Sequence, residues 1–389
     1  MSGSQMVKMD RRKFLAMSCA LAACGVGKAG PGDSVKIPEW AGREIAATLA
    51  RYRAWKGGDV TVAFPIITDV HSKTTDLPED LSFGDSKMHV FLAQRAADEA
   101  GADFLADLGD IDLDLGVPID KNWPPKFRFC SPEEMQRRVE TQRTIYRDWQ
   151  RPVLFALGNH DHSRGRFSSA AFGDAFNRGI TAAHGHKVTL GDDGSYGYYD
   201  VPAKKTRAIF LNSSDEGYYG YSVKQLAFLA RALGTVPTGV TALLVQHFCI
   251  KTEIGYWKTF RTTRAKRQEI AIRMLEDFVA HRAGEADGMK WNFTGLKDTT
   301  FAGCFFGDSH FDNYVKANGV DYSISQGYGG VSPKEIENGG VFTPFSRSKQ
   351  MLVDLVAVKP GKREVKIFRI GAGGAARDRG YAYGGVAGI

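Results

Sequence analysis

Cysteine is scarce in this chain of 389 residues: there are five, and no two stand as Cys-x-x-Cys. The missing pair excludes a zinc ribbon, and the small number excludes a disulfide framework. Setting Cys19 and Cys24 aside, Cys130, Cys249 and Cys304 remain, which leaves room for one bridge and does not say between which two. Long apolar runs are missing as well. After residue 25 no stretch approaches the roughly 18 consecutive apolar residues of a membrane span. No internal repeat is visible, so nothing points to a repeat architecture. The chain also lacks a strong excess of one charge. Its formal net charge is +7, and the first 23 residues hold Lys8, Arg11, Arg12 and Lys13 against Asp10, so the remainder carries +4. A mildly basic body suits an anionic substrate or surface and demands neither. What is present in quantity is ordinary globular material, 43% hydrophobic and 24% charged. That is enough for a sizeable core in one large α/β domain or two smaller ones.

At the N-terminus, Asp10-Arg11-Arg12-Lys13-Phe14-Leu15-Ala16 opens a short apolar run that ends at Leu21-Ala22-Ala23-Cys24. A basic segment, a short apolar segment and small residues together make a secretory signal. The Arg-Arg-x-Phe-Leu core resembles a twin-arginine export signal, and departs from it at Asp10 and Ala16. Leu-Ala-Ala-Cys resembles the bacterial lipobox, which implies that Cys24 is acylated and becomes the first mature residue. The expectation is a signal peptide over 1–23, a Gly-rich tether and N-terminal helix over 24–57, and a lipoprotein exported to the periplasm or cell envelope of a bacterium. Its membrane partner would be reached through the lipid on Cys24.

From Val60 the pattern changes. Val60–Ile67, Phe104–Leu108 and Val153–Leu157 read as short buried strands, separated by helices at Ser86–Ala100 and Pro132–Gln150, the latter with Ser131 as N-cap. Strands follow at Lys187–Leu190, Tyr196–Val201 and Arg207–Leu211. Then come a helix at Ser222–Leu233, a strand at Thr241–Val245, a long helix near Arg264–Arg282 and a strand at Thr300–Phe306. Further strands include Met351–Val358 and Glu364–Ile370, and the Gly- and Ala-rich end reads as irregular. Alternating short strands and helices predict an α/β domain, here over 58–372, with a tail over 373–389.

The chemistry sits where these strands end. The first runs into Asp69-Val70-His71, the second into Gly109-Asp110, the third into Gly158-Asn159-His160-Asp161. Thr241–Val245 leads to Gln246-His247, and Thr300–Phe306 to Gly307-Asp308-Ser309-His310. Carboxyl ends of strands line the ligand crevice of an open α/β sheet. Five loops would then bring carboxylates, imidazoles and one amide together, a donor set for hard or borderline divalent metals. Asp-x-His alone carries no weight, but Gly-Asn-His-Asp after a buried strand is a strong signal, and the ordered set is stronger still.

That order resembles the calcineurin-like metallophosphoesterase family, over about residues 60 to 312. The resemblance implies a four-layered α/β/β/α sandwich with mixed sheets. It implies two divalent ions, from among manganese, iron, magnesium and zinc, and hydrolysis of a phosphate mono- or diester by a metal-bridged hydroxide. Carried onto matching positions, Asp69, His71 and His310 hold the first ion, Asp110 bridges, and Asn159 and His247 hold the second. His160 is the acid or phosphate-contacting group, oriented by Asp161. Two positions depart from the family. Asp308 stands where His is usual; as a carboxylate ligand to the second ion it would favour manganese, magnesium or iron over zinc. Leu113 stands where Asp or Tyr is usual, which argues against a purple acid phosphatase and leaves Asp112 or Asp114 as substitutes.

Other residues have plainer readings. His89, His184, His186 and His281 are ordinary surface or helix residues, and Cys249 and Cys304 are core. His162, Arg164 and Arg166 are loop residues near the mouth. Tyr218, Tyr219, Tyr221 and Tyr256 line a groove or pack, with neither preferred. The basic run 258–267 reads as a solvated helix start. Its rival reading is a grip on nucleic acid, so an exported nuclease stands beside a metal-dependent phosphate-binding surface protein as an alternative to the esterase.

Overall fold

The computed structural model describes residues 39–70, 86–111, 117–118, 127–128, 131–162, 167–216, 219–251, 266–327 and 352–384. Two β-sheets lie face to face. The first has six strands, in spatial order Arg379–Ala382, Glu364–Gly371, Leu352–Lys359, Val62–Ile67, Leu105–Asp107 and Val153–Phe155. Its last three are parallel and its other pairings antiparallel. The second has seven: Asn313–Ala317, Val320–Ile324, Thr300–Phe306, Thr241–Gln246, Thr206–Phe210, Gly197–Val201 and Val188–Leu190. Four of these, from Val320–Ile324 through Thr206–Phe210, are parallel, with antiparallel strands at both edges.

Parallel neighbours need crossovers, and helices supply them. Ser86–Ala100 and Pro132–Arg147 connect the parallel strands of the first sheet, and Val223–Gly234 and Gln268–Val279 those of the second. The side-chain alternation of a strand then sorts the core into layers. Val62, Phe64 and Ile66 meet Phe210, Val245 and Phe305 of the other sheet, while Ala63 and Ile67 turn outward to the helices. Phe64 stacks on Phe104 at 4.5 Å and meets Phe305 edge-on at 5.6 Å. On the far face of the second sheet Leu226, Leu229, Met274 and Phe278 cover Leu244 and Phe306. The result is the expected α/β/β/α sandwich.

The helix at Glu39–Lys56 buries Ala41, Ile45, Thr48, Leu49 and Tyr52, a stripe at helical spacing that faces the first sheet. Ser222 caps Val223–Gly234 by accepting from the Gln225 amide, as its side-chain oxygen should at an N-cap. No helix among the described residues is long and apolar enough to cross a membrane. The expected signal peptide over 1–23 and Cys24 lie outside the described residues, as does Cys130. Cys249 and Cys304 are buried in the core.

The C-terminal end departs from the sequence reading. Arg379–Ala382 is an edge strand, with Val365 opposite Tyr381. Four residues are too few for a period to show, and the neighbouring strand sets their conformation. The expected long helix is shorter, Gln268–Val279. Arg267 before it and His281 after it have left-handed backbone (φ 60° and 50°), and the chain turns into a hairpin pairing Ala283–Ala286 with Met289–Asn292.

Between the sheets the apolar layer ends in buried ions. Arg369 continues the inward face of Val365 and Ile367, and Asp354 that of Val356 and Val358; the two stand opposite one another in the ladder. Arg369 Nε donates to Asp354 Oδ1 at 2.6 Å and Nη2 to Asp312 Oδ1 at 2.6 Å. Arg379 Nη2 donates to Asp354 Oδ2 at 2.7 Å. Asp312 belongs to the second sheet's side, two residues after His310, so this network clips the sheets together beside the loops that carry the candidate ligands.

Candidate metal centre

Each strand end delivers its residue to one place. Asp69 follows Val62–Ile67, Asp110 follows Leu105–Asp107, and Asn159 and His160 follow Val153–Phe155. From the second sheet, His247 follows Thr241–Gln246, and Asp308 and His310 follow Thr300–Phe306. Backbone hydrogen bonds lock the loops to one another. Asp69 N donates to Gly109 O at 2.9 Å, and Gly307 N to His247 O at 2.9 Å. Across the sheets, Asp308 N donates to Asp69 Oδ2 at 2.9 Å.

Asp69, Asp110 and His247 offer ligand atoms that all lie within 4.8 Å of one another, and all three are buried. The His247 ring is the hub. Its Nε2 is 2.9 Å from Asn159 Oδ1, 3.4 Å from Asp110 Oδ2 and 3.6 Å from Asp308 Oδ1. His310 Nε2 lies 3.1 Å from Asp69 Oδ1. Thus Asp69, Asp110, Asn159, His247, Asp308 and His310 come together in one place. His71 lies outside the described residues, as do Asp112, Leu113 and Asp114.

His160 stands at the mouth. Its backbone N donates to Asp110 Oδ1 at 2.8 Å, and its part-exposed ring places Nε2 3.9 Å from Asp110 Oδ2. Asp161 braces the turn that carries that ring. Its Oδ1 accepts from Ile111 N at 2.8 Å and its Oδ2 from Gly158 N at 3.0 Å. Those bonds fix the Asp110 and Asn159 loops against each other, and the His160 backbone with them.

The backbone is strained here. Asp69, Asp110, Asp308 and His310 all have positive φ, at 54°, 52°, 63° and 56°. Such conformations are uncommon for residues with a Cβ and gather at functional sites. Glycines permit the close loop packing. A Cβ on Gly158 would lie 2.1 Å from Asp110 Oδ1, and one on Gly109 2.5 Å from Gly158 N. The glycine before each acid or amide is therefore a steric requirement.

The donor set fits a cation. His247 Nδ1 faces the Leu108 carbonyl at 2.9 Å. A carbonyl only accepts, so Nδ1 carries the proton, and Nε2 of a neutral ring presents a lone pair. That lone pair points at the oxygens of Asn159, Asp110 and Asp308. Lone pairs converging on lone pairs repel unless a proton or a metal stands between them. Burial works against a charged imidazole, yet the carboxylates of Asp110, Asp69 and Asp308 outweigh it and push His247 up to about 10. The pocket is thus negative enough to hold a cation. Burial also raises Asp308, to about 6, against the pull of His247. Asp69 is held below the usual carboxylate range, its burial outweighed by His310 and His247. The backbone carbonyl on Nδ1 is the outer hydrogen bond that orients metal-binding histidines. Oxygen donors outnumber nitrogen donors, which suits manganese, magnesium or iron.

Three supporting residues escaped the sequence reading. Tyr219 was left undecided; its hydroxyl donates to Asp308 Oδ1 at 3.3 Å. Buried Asp107 accepts from the Tyr146 hydroxyl and, at 3.2 Å, from Gly109 N, bracing the Asp110 turn from below. Burial pushes Asp107 up to about 7 despite the Tyr146 bond. Its signal was a lone acid inside the apolar strand Phe104–Leu108.

No family model matches the chain and no curated protein matches it. Among solved structures, it is similar to a dimetal phosphatase from Danio rerio, with 12% identity and a TM-score of 0.51 over 84% of this chain and 99% of that one. It also aligns with a purple acid phosphatase from yellow lupin seeds, at 10% identity and a TM-score of 0.43, over 83% of this chain and 53% of that one. At such identity the first likeness shows the fold alone: this chain shares the α/β/β/α sandwich of that structure and carries a candidate metal site at its strand ends.

Proposed function

We propose that this chain is an exported binuclear metallophosphoesterase. Asp69, His71 and His310 hold one divalent ion; Asn159, His247 and Asp308 hold the other; Asp110 lies between the two. The observation that carries this reading is the buried convergence of Asp69, Asp110 and His247, whose ligand atoms lie within 4.8 Å of one another although they come from three strands in two sheets. When bound, the ions would supply Lewis acidity toward a phosphate ester and an activated water at neutral pH.

The protein's own groups do the rest. Asp161 and the Leu108 carbonyl keep the Asp110 loop and the His247 ring in place. His160, tied to Asp110 through its backbone and open to solvent at its ring, is the group available to protonate the leaving oxygen. No serine or cysteine nucleophile is required. The substrate is a phosphate mono- or diester. Residues 1–23 direct export, and a lipid on Cys24 tethers the enzyme to the cell envelope.

The test begins with metal-free protein reconstituted with manganese and assayed on p-nitrophenyl phosphate and bis-p-nitrophenyl phosphate. Turnover of either, lost in Asp110→Ala and in His160→Ala, is the expected result. Two bound ions without turnover under any divalent metal would make the chain a binding protein. Cleavage of single-stranded DNA or RNA with a steep salt dependence would make it a nuclease. Tethering is read separately: Cys24→Ser should move the protein from the membrane fraction to the soluble fraction.

A further inference from the structure

We infer that Tyr219 is a positioning residue for Asp308 and that this pair sets the metal preference of the second ion site. The inference rests on the metal-centre reading above. Tyr219 Oη donates to Asp308 Oδ1 at 3.3 Å, and the same oxygen lies 3.6 Å from His247 Nε2. Rotation of the Asp308 side chain would break both contacts, so the phenol holds the carboxylate in the orientation that faces the imidazole. A carboxylate oxygen that already accepts a hydrogen bond has less electron density to offer a cation. Asp308 would therefore serve as a hard and modest donor, and one whose orientation depends on the phenol.

Tyr219 is itself held firmly. Its ring packs on Phe248 with centroids 4.3 Å apart and planes 31° apart, and Phe248 directly follows His247. The Phe248 amide donates to Ser213 Oγ at 3.0 Å. The Tyr219 carbonyl accepts from Lys266 N at 3.3 Å, and the next residue closes the loop, Gly220 N donating to Ser213 O at 2.8 Å. One packed unit thus carries His247, the ring beneath Tyr219 and the hydroxyl on Asp308. Both partners of the hydroxyl contact are this chain's own: Asp308 replaces an imidazole that the motif would lead one to expect, and a phenol can brace a carboxylate from this side by donating to it.

The experiment titrates Mn(II) and, separately, Zn(II) into metal-free full-length protein, read by calorimetry and, for manganese, by electron paramagnetic resonance. Tyr219→Phe keeps the ring on Phe248 and removes only the hydroxyl. The wild-type chain should bind two manganese ions. Tyr219→Phe should weaken the second by about tenfold, the usual scale for an outer-shell partner, leave the first within about twofold, and narrow the preference for manganese over zinc. In an Asp308→His background the same substitution should change neither affinity. Two ions bound with wild-type affinities in Tyr219→Phe would overturn the inference and leave the metal centre standing. An equal loss in the Asp308→His background would overturn it too, since the hydroxyl would then act on something other than Asp308. Failure of the wild-type chain to bind any divalent ion would sink the metal-centre reading itself.

Discussion

Two buried clusters of charge flank the same loop, and they survive burial in opposite ways. In one, Asp354 and Asp312 meet Arg369 and Arg379 at 2.6 to 2.7 Å. Burial would raise Asp354, but Arg369 and Arg379 hold it well below the ordinary carboxylate range. Charge is balanced inside the protein. In the other, the partners described for Asp69, Asp110 and Asp308 are imidazoles, backbone amides, a threonine hydroxyl and a tyrosine. Among these described partners there is no arginine or lysine, and it is the carboxylates that push His247 up to about 10. The first cluster pairs acid with arginine, and the second brings carboxylates and imidazole nitrogens together as a candidate cation site. Equal burial thus marks one as structural and the other as a binding site.

The sharpest break in that comparison is Asp110→Ala. Loss of the shared carboxylate should lower phosphoester turnover by several kcal/mol of barrier, about three powers of ten or more. The same substitution should leave the urea midpoint of metal-free protein unchanged or raised, because it removes a like charge. Arg369→Ala should do the reverse. Among the described residues it leaves Arg379 as the one arginine close to both buried carboxylates, at a cost of about 3 kcal/mol, seen as a fall in the urea midpoint. Replacing Arg369, Asp354 and Asp312 together with apolar residues of similar size should recover most of that loss.

His89 offers a third solution, which is neutrality. Fully buried on the helix Ser86–Ala100, its Nε2 donates to the Leu352 carbonyl, and burial, only partly offset by that bond, lowers it to about 4. Its folded value lies below the unfolded 6.5, so the unfolded chain binds the proton more readily. The contribution to stability is therefore complete above pH 6.5 and fades as pH falls toward 4, by about 3 kcal/mol. Denaturation midpoints between pH 7 and 4 should show this step in metal-free protein, and His89→Gln should remove it. The smallest effect, counted per site, comes from adding a cation. Manganese at a hundred times its dissociation constant should stabilise the protein by about 2.7 kcal/mol per site. That gain should shrink in Asp110→Ala and persist in Arg369→Ala.

Much of this was legible in the residue order. Buried strands announced themselves as apolar runs, and the ligands were visible because each such run ends in Asp, His or Asn, with a glycine before Asp110, Asn159 and Asp308. Asp308 stood out only as a departure from the motif. Tyr219 was opaque because it lies 89 residues from its partner, and one of several tyrosines carries no mark of which will be reached. Arg369 and Asp354 left a trace: each continues the inward face of an alternating strand, Val365-x-Ile367-x-Arg369 and Asp354-x-Val356-x-Val358, where a charge is out of place. The bonds that Asp161 accepts from the amides of Ile111 and Gly158 were opaque too, because one of those amides lies 50 residues away and only the folded turn brings it near.

The one-dimensional string determined which segments become strands, where the potential ligands stand along them, and which glycines must precede them. These follow from local rules of periodicity and steric fit. Tertiary structure decided what each charge means. Whether a buried aspartate is neutralised by an arginine, braced by a phenol or left facing other lone pairs depends on residues up to 241 positions away. Coulomb interactions act through space and are strong only where packing has removed the water.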